Sequence, residues 1–163
     1  MDLNIKENKM KIYLAGPCDT ENRTTMMNIA GWLRHEPSFE VYCPWELKIE
    51  DAWYMSQENW GAKVFWKDVE AIDDCDVFLM ISLGRHSTAG TNWEQGYAFA
   101  KKKVIYVVQI TEETTSLMTF CGCSHFWNTN KKNLYESIKK IVEVILDPAL
   151  LLYKDKECET VLT

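Results

Sequence analysis

The sequence carries no excess of positive charge: 18 Lys and Arg against 24 Asp and Glu leave a formal net charge of −6 over 163 residues. That balance excludes the basic face that non-specific binding to a nucleic acid polymer requires. It leaves room for a small anion in an amide-lined pocket. No apolar run approaches the roughly 20 residues of a membrane-spanning helix, so no membrane partner is expected. The first residues are polar and of mixed charge and lack the apolar stretch of a secretory leader. The six cysteines, Cys18, Cys43, Cys75, Cys121, Cys123 and Cys158, show no framework spacing. Reduced thiols and a cytoplasmic location are therefore expected. Cys121 and Cys123 with His125 nearby fall short of the two C-x-x-C pairs of a structural metal site, and no metal is expected. There are no internal repeats and no low-complexity segments. No G-x-G-x-x-G follows the first apolar run, which disfavours a flavin or dinucleotide binder.

What is present is an ordinary globular composition, 47% apolar and 26% charged. The length suits one domain with a real core. Residues 1–150 are expected to form that domain and residues 151–163 a C-terminal extension. Apolar runs at 11–15, 41–43, 77–81 and 104–108 read as strands, the third as a buried one. Helical spacing marks 24–34, one or two helices within 49–72 (the last from about 59), 92–101 and 133–146, where Leu134, Ile138, Ile141, Val142 and Ile145 share a face. Pro37 and Pro148 are expected to close helices. Residues 116–118 suit a short helical turn. Strands alternating with helices predict an α/β fold: one flavodoxin-like or Rossmann-like sandwich with a central parallel sheet of four to five strands and helices on both faces. In such sheets ligands sit at the carboxyl ends of the strands, which places the turns after the first and third strands at one edge.

The stretch from Ser87 to Ala98 is the focus of that edge. Small hydroxyl residues and Gly90 at a strand-to-helix turn leave backbone N–H groups free for an anion or a sugar. Tyr13 and Gly16 close the first strand, Asp68 lies on the helix before the third strand, and Glu94 on the helix after it. A carboxylate in a partly dry pocket can attack an acetal carbon, whose transition state is cation-like. A second acid can protonate the leaving group. Each residue also has a plain reading. Glu94 in a first helical turn can complement the dipole, Asp68 can be solvated, Tyr13 can be core, and Ser87 and Thr88 can simply cap a helix.

Tyr13-Leu14-Ala15-Gly16-Pro17, then Asp68, then the strand opening at Asp76-Val77, then Ala89 to Ala98 resemble the nucleoside 2-deoxyribosyltransferase family in order over roughly residues 11 to 120. The resemblance implies an enzyme in which Glu94 attacks the anomeric carbon of a 2-deoxyribosyl group. Tyr13 orients Glu94, and Asp68 faces the nucleobase and moves a proton. Gly16, Ser87, Thr88 and Gly90 would bind substrate, as would Ser116 and Met118 contributed by a neighbouring subunit. No metal or organic cofactor is implied. A nucleoside or nucleotide substrate is, and so is a homodimer or higher homo-oligomer.

Two positions depart from the family members that use free nucleosides. Those carry an aspartate where this chain has Thr88, and an asparagine where it has Ser116. Hydroxyl residues there resemble the branch that hydrolyses deoxynucleoside 5′-monophosphates, since an aspartate repels a phosphate. That branch has further serine and arginine contacts in its first loop, where this chain has Pro17 and Asp19; Arg23 or Arg85 are candidate substitutes. A non-catalytic nucleotide-binding or sensing module is the rival from another class. Of the seven tryptophans, Trp53, Trp60 and Trp66 are candidates to stack on a base, and most of the seven are expected in the core or at a subunit contact. Lys101 to Lys103 are expected to complement the end of their own helix.

Overall fold

The computed structural model describes residues 9–147. The expected extension at 151–163, the helix stop at Pro148 and Cys158 lie outside the described residues. Five parallel strands, β1 (Met10–Ala15), β2 (Phe39–Tyr42), β3 (Val77–Ser82), β4 (Val104–Gln109) and β5 (His125–Asn128), form one sheet in the order β2-β1-β3-β4-β5. Between and after them run α1 (Arg23–Arg34), α2 (Gln57–Asp74), α3 (Ala89–Ala100), α4 (Leu117–Cys121) and α5 (Leu134–Leu146). This is the flavodoxin-like order, whose topological switch point falls between β1 and β3.

Strand alternation divides the core into two layers. Ile12, Leu14, Leu79, Ile81, Tyr106 and Val108 face α1 and α5, meeting the α5 stripe of Leu134, Ile138, Ile141 and Ile145. Tyr13, Ala15, Phe78, Met80, Ile105 and Val107 face α2 and α3, packing on Ile72 and Ala98. All six residues of β3 are buried, as expected of a central strand covered on both faces.

Four details sharpen or correct the sequence reading, the fifth strand falling within the expected four to five. First, a fifth strand, β5, pairs with β4 in the register Tyr106 with His125 and Gln109 with Asn128. It is an edge strand of four partly exposed residues, so no apolar run announces it. Second, α2 starts at Gln57, capped by Ser56 Oγ accepting from the Asn59 amide, and two 3₁₀ turns precede it. Third, α3 starts at Ala89, three residues earlier than its apolar spacing suggests. Fourth, Trp32, Trp45 and Trp127 pack partly buried against the core, while Trp53, Trp60, Trp66 and Trp93 are exposed.

Lys103 does not serve its own helix. Its Nζ donates to the carbonyls of Asp73 and Cys75, at 2.7 and 2.8 Å, and so closes the carboxyl end of α2. The left-handed turn at Lys102, φ 58°, brings the chain back to make this reach possible.

Candidate active site

Strand register builds the site. In the parallel ladder Tyr13 of β1 is paired with Tyr42 of β2 on one side and Phe78 of β3 on the other. Equal parity sends all three rings to the same face of the sheet. The Tyr13 ring stacks on Tyr42 at 5.3 Å and on Phe78 at 5.4 Å between centroids. Each tyrosine hydroxyl then reaches a carboxylate on a helix packed over that face. Tyr13 donates to Glu94 Oε1 at 3.0 Å, and Tyr42 donates to Asp68 Oδ1 at 2.8 Å. The result is two tyrosine–carboxylate pairs side by side at the switch point between β1 and β3.

The positioning of Glu94 follows from how α3 is tied down. Thr88 caps the helix, accepting from the Thr91 amide. Thr91 Oγ1 donates to the Gly16 carbonyl at 3.0 Å, joining the start of α3 to the turn after β1. Gly16 packs closely there: a Cβ would lie 2.5 Å from Met26 Cε, displacing the end of that side chain, and 3.3 Å from Ile81 Cβ. With α3 beginning at Ala89, Glu94 lies in its second turn, beyond the first-turn amides that a capping carboxylate serves. Ser87 is used within the turn itself, accepting from the Leu83 amide at 2.9 Å and lying 3.2 Å from Ser82 Oγ. Gly90 is exposed, with open space where a side chain would project.

The electrostatics are those of acids held without cations. Neither Glu94 nor Asp68 has an ion-pair partner among the described residues. Burial pushes Glu94 up to about 7, opposed by the Tyr13 hydrogen bond and assisted by the negative charge of Asp68. Burial also raises Asp68, opposed by its bond from Tyr42. Tyr13 is fully buried, and burial, then the two carboxylates, hold its hydroxyl far above the ordinary phenol value. It therefore remains a donor at any physiological pH. Cys18, on the loop after β1, is exposed as a residue, yet partial burial of its thiol and then the charges of Glu94 and Asp68 push it up to about 11.

Tyr13, Asp68, Glu94 and Gly16 are thus brought together, and Ser87, Thr88 and Gly90 form the adjoining helix start. Ser116 and Met118 are not brought to Glu94 within the chain. Ser116 caps α4, and both line a cavity of about 400 Å³ with Asn92, Gly96 and Phe99 of α3. At about 100° per residue, those α3 positions lie on the side of the helix away from Glu94. Sequence reasoning missed Tyr42 and Thr91. The signal for Tyr42 was available in principle: two neighbouring parallel strands each carry a tyrosine, and pairing them brings the rings together.

Two desolvated carboxylates at the switch point of a parallel α/β sheet, each with one oxygen held by a tyrosine, are suited to acid–base and covalent chemistry at one carbon. The chain belongs to the nucleoside 2-deoxyribosyltransferase family, whose model matches residues 12–144. A comparison with curated protein sequences gives no match. Among solved structures, the chain resembles a 2-deoxyribosyltransferase from Bacillus psychrosaccharolyticus with a TM-score of 0.69 and 24% identity, over 86% of this chain and 95% of that one. It resembles a conserved protein from Enterococcus faecalis V583 at 0.65 and 19% identity, over 82% and 99%. It also resembles a CMP N-glycosidase from Clostridium botulinum at 0.56 and 21% identity, over 80% and 96%. These likenesses establish a common fold.

Proposed function

We propose that this chain cleaves the N-glycosidic bond of 2′-deoxynucleosides or their 5′-monophosphates through Glu94, passing the sugar to a second base or to water. The observation that carries the reading is the pair of cation-free carboxylates, each held on one oxygen by a tyrosine. Tyr13 occupies Glu94 Oε1, leaving Oε2 to attack C1′. As the C1′–N bond breaks, its electron pair goes to the base and Asp68 in its acid form supplies the proton. In the second half, the acceptor returns a proton to Asp68 and displaces Glu94 from C1′. No step calls for a cofactor.

The same pair argues against a non-catalytic binding module. Two desolvated acids in one crevice weaken the fold, and binding alone does not require them. Replacing Glu94 by Gln or Ala should abolish base release; retained release would remove Glu94 as nucleophile.

The start of α3 bears on the substrate's 5′ end, as the family resemblance places it. Thr91 commits its only hydroxyl proton to Gly16, so in the 2.8 Å contact between the two hydroxyls Thr88 is the donor. Thr88 therefore offers a ligand only a lone pair, which suits a 5′-hydroxyl. The exposed Ala89 and Gly90 amides have no intrahelical acceptor and suit a phosphate. The 5′-monophosphate N-hydrolase reading rests on those amides and on the absence of a carboxylate at position 88. Chromatographic assay of deoxynucleosides and their monophosphates, each with and without adenine as acceptor, separates transfer from hydrolysis and one 5′ end from the other.

A homodimer or higher homo-oligomer is part of the proposal. Phe65, Trp66, Trp93, Phe99, Leu117 and Met118 are exposed on α2, α3 and α4, an apolar surface of the kind that subunit contacts cover. Ser116 and Met118 would then serve a neighbour's crevice. Light scattering of the chain and of a Trp93→Asp variant tests this. The thiols of Cys18, Cys43 and Cys75, which form no disulfide, are in keeping with the cytoplasmic assignment.

A further inference from the structure

We propose that Tyr42 is a positioning residue for Asp68, fixing which carboxyl oxygen carries the proton that is exchanged with the nucleobase. The proposal rests on the role given to Asp68 above and adds a residue to it.

Tyr42 ends β2, and its ring lies flat on that of Tyr13, 5.3 Å away and inclined by 19°. Its hydroxyl donates to Asp68 Oδ1 at 2.8 Å, the only hydrogen bond Asp68 makes through its carboxyl group among the described residues. Because the phenol proton occupies Oδ1, an acid proton on Asp68 resides on Oδ2, the oxygen left for the substrate. The stack removes the rotational freedom a lone tyrosine would have, so the bond direction is set by the sheet and not by α2.

Simple satisfaction of a polar group does not explain the pair. Tyr42 is only half-buried, so water can serve its hydroxyl, and a phenylalanine would fill the same stack. Asp68 has no lysine, arginine or histidine in ion-pair contact among the described residues, so the Tyr42 hydroxyl is what fixes its carboxyl group. The arrangement repeats what Tyr13 does for Glu94 one strand away. Two carboxylates of separate helices are thus each fixed by a tyrosine of adjacent strands.

The chemistry sets the expected pattern. During bond cleavage the proton passes from Asp68 Oδ2 to the base nitrogen, which receives the electron pair of the C1′–N bond, and Asp68 is left as a carboxylate. Tyr42 keeps its own proton and stabilises that carboxylate by hydrogen bonding. Without it, Asp68 is misdirected and holds its proton more tightly.

The test is Tyr42→Phe, assayed on whichever deoxynucleoside or deoxynucleotide with a common base the unmodified chain turns over fastest. The expected result is a fall in kcat of roughly tenfold to 150-fold with KM within about twofold, the range for losing one hydrogen bond to a charged group. The pH limb governed by Asp68 should move upward, since the Tyr42 bond opposes the rise that burial causes. In an Asp68→Asn background, Tyr42→Phe should change kcat no further, since the two act as one unit. Additive losses, or a fall in thermal stability with kcat and both pH limbs unmoved, would overturn the proposal. Carbon-13 titration of the Asp68 carboxyl in both forms of the chain needs no turnover. A higher apparent pKa in the variant supports the positioning role, and an unchanged one refutes it. If the unmodified chain releases no base from any substrate, the catalytic reading fails while this titration still decides what Tyr42 does.

Discussion

Glu94 should make the protein less stable as the pH rises, and Glu94→Gln should reverse this. Burial moves the group from an ordinary 4.5 to about 7, so the folded chain holds its proton more tightly than the unfolded chain does. For an acid raised on folding, the stabilising share is full below 4.5 and is lost as pH climbs through 7. At about 1.4 kcal/mol per unit the full loss is at most roughly 3 kcal/mol. The carboxylate is partly open to water, which reduces this to roughly 1–2 kcal/mol. Glutamine keeps the size and can still accept from Tyr13, while having no charge to desolvate. The variant should therefore melt at the same temperature as the unmodified chain near pH 4.5, and higher by about 3–6 °C above neutrality for a domain of this size. Thermal unfolding of both forms across the pH range measures the difference directly. A gap that does not depend on pH, or one that closes as pH rises, would show that Glu94 is not desolvated in the folded chain.

kcat/KM should fall as pH climbs through about 7, where the last proton shared by Glu94 and Asp68 is lost, and Tyr13→Phe should push that limb higher by removing the donor that favours the charged form of Glu94; a profile left in place would contradict it. Cys18 should alkylate slowly at about pH 8, and Glu94→Gln should speed it by lowering a thiol held near 11, as read by peptide mass spectrometry; equal rates would separate the thiol from the crevice. Lys103→Met should cost about 1–2 kcal/mol in urea unfolding, since two carbonyls at the end of α2 lose their donor, and a change near zero would mean that water replaces it.

Much of the architecture is legible along the chain because it follows burial. The β3 and β4 runs and the α5 stripe are continuous patterns whose periods match their elements. The pattern fails where aromatic residues face outward. Trp53, Trp60 and Trp66 blur the start of α2, and the partly exposed His125 to Asn128 conceal an edge strand. The start of α3 is displaced because its first turn consists of small residues that carry no periodic signal. Tyr13, Asp68 and Glu94 stand out through resemblance, being spaced along one chain in a familiar order. Tyr42 does not, because its partner is chosen by which strand lies beside which, and that is decided by the folded sheet.

The stacked rings of Tyr42, Tyr13 and Phe78 have a consequence for how such a protein can change. Their centroid separations of 5.3 and 5.4 Å follow the pitch of the sheet, about 4.8 Å between neighbouring strands, a dimension that sequence drift in loops cannot alter. The two acids are gauged from this fixed scale. The segments beside them, residues 17–22, 43–56 and 83–88, to which the proposed function would give the substrate contacts, lie outside the strands and can be rebuilt without moving the two acids. Exchanging those segments between relatives is therefore a route to new substrate preferences on an unchanged catalytic ruler.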